Sequence, residues 1–206
     1  NMKKLLLLLI IPLLSFGQND TILVEDIWDS LTREGGPGNS FYYYKGKLIN
    51  GMVYSVYENG QLKEEYNFKE GYLHGAHRQW FKNGQLKKTQ TFKYSPKIKD
   101  KFGYFVCTPC EDGTEFFWYE DGQKREETVI KNGEHGNAKV WYQNGELSYE
   151  RQGCLWSEQQ QTFIQNGFTK TWHENGQLKS VRYYENDTLT SKQCFTRNAS
   201  KIKCEW

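Results

Sequence analysis

The chain has 206 residues, with 27 basic and 25 acidic side chains, a formal charge of +2 and a hydrophobic content of only 37%. So even a balance does not favour nucleic acid or an anionic membrane as the main partner, since both reward a basic patch. Aromatic residues make up 16% of the chain and fall at alternating positions, which suits half-buried strands rather than a disordered polymer.

Residues 2–17 read as a secretory signal peptide: Lys3 and Lys4, an apolar run from Leu5 to Leu14, then Ser15 and Gly17 at the small-residue positions of a cleavage site. The run is about half of the ~20 residues that a spanning helix needs, and Pro12 interrupts it. No cysteine follows the site, so no lipid attachment is expected. Cleavage would remove two bases and no acid, leaving the two signs equal at 25. Residues 18–40 are expected to form an N-terminal cap. Leu23, Ile27 and Leu31 fit one stripe of a short helix or an edge strand, and the turn-rich Gly35-Gly36-Pro37-Gly38 ends the segment.

From Phe41 to about residue 187 the chain repeats itself. Gly51 and Gly60, Gly75 and Gly84, Gly113 and Gly122, Gly136 and Gly145, and Gly167 and Gly176 share one frame, nine positions apart. Before each second glycine stand a bulky pair, a polar residue and Asn or Asp, as in Trp80-Phe81-Lys82-Asn83-Gly84. A fixed period of this size marks an array of supersecondary units. Asn-Gly or Asp-Gly between alternating bulky residues is a strong hairpin signal, and a two-residue type I′ turn is the expectation. That turn would pair Tyr57 with Leu62, Phe81 with Leu86 and Tyr142 with Leu147. One step out it would pair Trp80 with Lys87, Trp118 with Arg125 and Trp172 with Lys179. Alternation then gives one face carrying Tyr66, Phe68, Phe92, Phe117, Ile130, Val140 and Tyr149 as the candidate core. The other face carries the tryptophans among charged residues.

The return connections repeat as well: Phe68-Lys-Glu-Gly71-Tyr-Leu-His-Gly75 parallels Ile130-Lys-Asn-Gly133-Glu-His-Gly136. With Gly71–Lys87 and Gly133–Leu147 in this form, the chain resembles the variant MORN repeat of bacterial proteins, in particular the YwqK-type antitoxin family, over roughly residues 20–206. The resemblance implies an all-β fold: an elongated, twisted antiparallel sheet of consecutive β-hairpin, MORN-like repeats, here behind a signal peptide and a short cap. It also implies protein or membrane contact as the role. Residues 188–206 are expected to form a capping hairpin. Successive first glycines lie 24, 38, 23 and 31 residues apart, which places insertions at about 93–112 and 151–165. Loops on a rigid scaffold are favoured places for recognition.

Five cysteines in an exported chain point to disulfides. A three-residue loop at 198–200 would set Cys194 opposite Cys204 and allow a clamp on the last hairpin. Cys107-Thr-Pro-Cys110 has the spacing of a redox motif or half a zinc site. A redox motif wants to open a helix, zinc needs two further ligands, and a local disulfide fits the strand-like flanks better. Cys154 is left over. The histidines sit at repeat positions, and no catalytic constellation, metal site or cofactor motif stands out, so no enzyme activity is expected. The candidate binding surface is an aromatic face of Trp80, Trp118, Trp141 and Trp172 with Lys87, Arg125 and Lys179, where cations over rings can anchor a partner. The expected function is an exported, non-catalytic protein-interaction module of the periplasm, outer membrane or exterior, without nucleic acid. The alternatives are a neutralising partner of a toxin and lipid or glycan surface binding through peripheral membrane contact.

Overall fold

The computed structural model describes residues 20–24, 26–34, 41–93 and 110–204. The expected signal peptide, the Gly35–Gly38 break and most of the first insertion lie outside them. Among the described residues, fourteen strands make one sheet. It begins with β1 (Asp20–Leu23), followed in the chain by a single helical turn, α1 (Ile27–Ser30), and by three short strands, β2 (Thr32–Glu34), β3 (Phe41–Tyr44) and β4 (Lys47–Leu48). These three form a separate small sheet in the order β2-β3-β4. The array comes next, as β5 (Gly51–Val56), β6 (Leu62–Lys69), β7 (Tyr72–Trp80), β8 (Leu86–Lys93), β9 (Cys110–Glu111), β10 (Gly113–Trp118), β11 (Lys124–Lys131), β12 (Glu134–Trp141), β13 (Leu147–Ser157), β14 (Thr162–Trp172), β15 (Leu178–Glu185), β16 (Thr188–Phe195) and β17 (Lys201–Ile202).

Each array strand pairs antiparallel with its neighbour in sequence, except that β9 and β10 share the outer edge of β8. β1 adds to β5 in parallel. The protein is therefore all-β, with its repeats forming one long sheet of consecutive hairpins, as the resemblance implied, and a small three-stranded sheet beside them.

A single sheet buries little unless something covers it. The cap does so at one end only. Val24, Ile27, Leu31 and Ile49 close over Val53, Tyr66, Phe68 and Leu73, with Tyr42 and Tyr44 packed against them. Each such side chain contributes about 1.5–3 kcal/mol by leaving water. Along the rest of the expected core face only Ile130 is buried; Phe117, Val140 and Tyr149 are half-buried, since among the described residues no second layer lies over them.

The corners differ from the expectation. At each one the amide of the second bulky residue donates to the carbonyl past the glycine, as Phe81 N to Gln85 O at 2.8 Å, and the glycine amide donates back, as Gly84 N to Phe81 O at 2.9 Å. Gly84 has φ +85°, whereas Asn83 is not among the positive-φ residues. This is a three-residue loop with a bulged glycine, not a type I′ pair. The register shifts accordingly. Trp80 faces Leu86, Trp118 faces Lys124 and Trp172 faces Leu178, correcting the expected partners Lys87, Arg125 and Lys179. Val56, not Tyr57, faces Leu62, and Trp141, not Tyr142, faces Leu147. Positive φ at two successive residues, the type I′ signature, occurs instead at Lys45-Gly46, Glu70-Gly71, Asn132-Gly133 and Asn186-Asp187, where the strands return.

Candidate interaction surface

The corner asparagines hold one repeat to the next. Asn144 accepts from its own Glu146 amide through Oδ1 (3.0 Å) and donates through Nδ2 to the Glu174 carbonyl of the following corner (2.8 Å). Asn59 reaches Lys82 O, Asn83 reaches Glu120 O and Asn175 reaches Arg197 O in the same way. A carboxamide is required because one end must accept and the other donate. Asp121 stands at the equivalent place in one corner and cannot donate. There Gln143 turns its amide onto Asp121 Oδ2 instead (3.1 Å). The Gln123 amide, followed by the Gln143 side chain, holds the Asp121 carboxyl below its ordinary range.

The tryptophans belong to this ladder. Tyr57, Tyr119 and Tyr142 donate their hydroxyls to the carbonyls of Trp80, Trp141 and Trp172, at 2.7–2.8 Å, each in the next repeat. Phe81, which has no hydroxyl, stands where the bond to Trp118 would start. All four indoles are half-buried, and among the described residues no two of them form a ring pair. Nor do the cations named with them lie over them. Arg125 sits over Phe117 (4.8 Å) and Lys87 over Phe81 (5.8 Å). The cation over Trp141 is Lys124, at 5.5 Å. Lys179 is exposed and makes no such contact among the described residues. The band is thus a half-buried aromatic strip with basic stems along it.

Cys194 and Cys204 form a disulfide, with Cα atoms 5.4 Å apart. Its hairpin corner is Arg197-Asn198-Ala199, one residue earlier than the expected loop. Thr196 N donates to Ser200 O and Ala199 takes the glycine place at φ +61°. Cys194 therefore faces Ile202, not Cys204. Cys107 and the side chain of Cys110 lie outside the described residues. Cys154 is free and half-buried, and burial pushes its thiol up.

Three features carry little signal in the sequence. A row across one face runs His77, Gln90, Glu115, Thr128, Ala138, Arg151, Thr169, Arg182 and Lys192 by register. Its first members are buried polar groups, and Lys88 pairs with Glu115 at 2.6 Å. Beside the row's first members, burial acts to raise the Glu64 carboxyl, but hydrogen bonds from His77, Gln79 and Tyr66 bring it below its ordinary value. The second is the long β13–β14 hairpin, which holds the 151–165 insertion. It bends where Gly153 and Gly167 meet, and it sets Phe163 against Gly136. The third is a basic groove at the C-terminal end, between β15, β16 and the tail after β17.

Together the ladder, the register and the single sheet define a β-hairpin repeat protein of the MORN type. The MORN repeat variant family matches residues 49–70, 73–94, 111–132, 134–152 and 165–186, and the chain belongs to that family. No curated protein matches the chain. A solved structure of a protein of unknown function from Bacteroides fragilis NCTC 9343 is similar at 16% identity, over 74% of this chain and 88% of that one, with a TM-score of 0.17.

Proposed function

We propose that this protein is a non-catalytic interaction module, exported to the cell envelope, that presents a preorganised sheet to a protein partner. The observation that carries the reading is the corner ladder. It fixes each repeat on the next through Asn and Tyr side chains, so the aromatic and basic strip is held ready without an ordering cost on binding. Extended sheets of this kind bind by shape and aromatic burial. The signal-peptide pattern of residues 2–17 and the Cys194–Cys204 disulfide support export.

A photo-cross-linker placed at Lys87 or Lys179, both exposed beside the strip, tests this in the host envelope. The expected result is a discrete protein adduct from these positions and none from Glu70 at a return turn. Adducts with lipid or glycan alone, or no adduct, would overturn it. Liposome and polysaccharide pull-downs, with Trp141→Ala as the control, read out surface binding directly. A neutralising role toward a toxin, the finer reading that the YwqK-type resemblance suggests, requires the captured protein to be toxic when expressed alone.

A further inference from the structure

We propose that the outer edge of β16 is a docking site for an acidic, extended peptide segment of a partner protein, which adds to the sheet as one more strand. The inference rests on the reading of the chain as an interaction module and names the partner's chemistry.

β16 pairs with β15 along its length, from Ser180↔Cys194 to Glu185↔Thr188. On its other side it meets β17 only through Cys194↔Ile202 and Phe195↔Lys201. Residues 188–193 therefore face no strand there among the described residues, and alternate amides and carbonyls of that stretch point outward. The disulfide keeps the edge open. Continuing the β17 ladder would set Cys204 opposite Lys192, but the bond ties it to Cys194, and β17 ends at Ile202. A groove of about 460 Å³ is left between Leu189–Gln193 and Lys201–Cys204. It adjoins one of about 530 Å³ lined by His173, Lys179, Arg182 and Lys203.

The charge of this region selects the occupant. Residues 188–204 contain Lys192, Arg197, Lys201 and Lys203 and no acid. Lys179 and Arg182 add to the groove wall, and neither they nor Lys201 and Lys203 form an ion pair among the described residues. Of the nearest carboxylates in sequence, Glu185 and Asp187 sit at the turn that ends the edge, and Glu205 follows Cys204 outside the described residues. Lysines also serve to blunt sheet edges. Here, however, the edge itself reads Thr188-Leu189-Thr190-Ser191, uncharged and exposed, and most of the bases stand on the wall beside it. Leu189 and Ile202, 37% and 48% exposed, offer apolar contacts for alternate side chains of an added strand. Outward amides and carbonyls pair with a peptide backbone, whereas a phosphate or a lipid headgroup would use the cations alone.

The probe is a fluorescein-labelled peptide of alternating Glu and Val, read by anisotropy against the disulfide-intact protein. Two comparison probes are the same peptide N-methylated at alternate residues and a Lys-Val version. The acidic peptide is expected to bind. N-methylation should abolish binding and the basic peptide should fail. The double charge reversal Lys201→Glu/Lys203→Glu should weaken binding by about tenfold or more, since rim charges act through long-range attraction. Circular dichroism shows whether that variant stays folded, and the N-methylated probe tests the edge without touching the protein. Equal binding of the methylated peptide, or displacement by inorganic polyphosphate or anionic vesicles without any need for the peptide backbone, would reduce the site to a simple anion patch and overturn the proposal. So would no binding of the acidic peptide. If this fails while adducts still form at Lys87, the interaction-module reading stands and only the edge proposal falls.

Discussion

Replacing Asn144 by Asp isolates the bond between repeats. The substitution preserves the shape and the Oδ1 acceptor for Glu146 N (3.0 Å) but replaces the Nδ2 donor with a second oxygen 2.8 Å from the Glu174 carbonyl. Losing one exposed hydrogen bond costs about 1 kcal/mol. Facing a carbonyl, with the Glu174 side chain in the same corner, brings the cost to about 1.5 kcal/mol. For a chain of this size that lowers Tm by about 3–6 °C. The protein already contains the remedy, since Asp121 is answered by Gln143 Nε2 at 3.1 Å. Glu174→Gln places the same amide beside position 144, so the double variant should recover about 1 kcal/mol, a coupling that a double-mutant cycle measures. Thermal and urea unfolding followed by circular dichroism gives all four stabilities. If Asn144→Asp unfolds with the wild type, or if Glu174→Gln gives no rescue in its background, the ladder does not hold the repeats together.

The other corners and the acid side of the titration supply further tests. Ala199→Gly relieves a non-glycine residue held at φ +61° and should raise stability by about 0.5–1 kcal/mol, seen as a higher Tm; a fall would refute the strain. Gly153→Ala should cost about 3 kcal/mol or more, because a Cβ there meets Asn166 O at 2.4 Å at φ +81°, whereas Gly145→Ala, which meets only the Gln123 side chain, should cost about 1 kcal/mol. Glu64 and Asp121 both titrate below their ordinary values of 4.5 and 3.8. A depressed folded pKa gives stability that is present above the unfolded value and lost as pH falls through the folded one. Urea midpoints should therefore drop below about pH 4.5, and Glu64→Gln should flatten that part of the profile.

The Asn-Gly corners are legible in the sequence because a chain reversal needs a residue that accepts positive φ, and glycine advertises it. The turn type is not. Two-residue and three-residue loops differ in whether the asparagine also turns left-handed, and both spell the same dipeptide. That ambiguity shifts the partner of each of the four corner tryptophans by one place. The true type I′ returns include Glu70 at φ +52°, a residue type that local preference would not choose; the packing of Tyr42 and Leu48 on Gly71 holds it there. The Cys194–Cys204 bond is legible although its register is not, since ten residues of separation suffice to bring the two cysteines together on either loop. The basic groove is hard to read because a charge balanced over the whole chain conceals a run from 188 to 204 with four bases and no acid.

The placement of the insertions follows from the same physics. Among the described residues all six corners, from Glu58–Gly60 to Arg197–Ala199, keep a three-residue loop, and the carboxamides of Asn59, Asn83, Asn144 and Asn175 each reach a carbonyl of the next corner at 2.8–3.1 Å. One added residue there would carry Nδ2 away from its carbonyl and break the ladder on both sides. The return connections carry no comparable row of carboxamide-to-carbonyl bonds among the described residues. Both departures from the period enter on that side, between β8 and β9 and between β13 and β14. At the second, Glu158–Gln161 replaces a two-residue turn and anchors to the previous return through Lys131–Glu158 at 2.9 Å. One rim of the sheet is thus fixed by what it bonds to, and the other is free to acquire new surface. On the binding role proposed above, specificity for a partner is free to change along the return rim and at the β16 edge without disturbing the register that holds the repeats together.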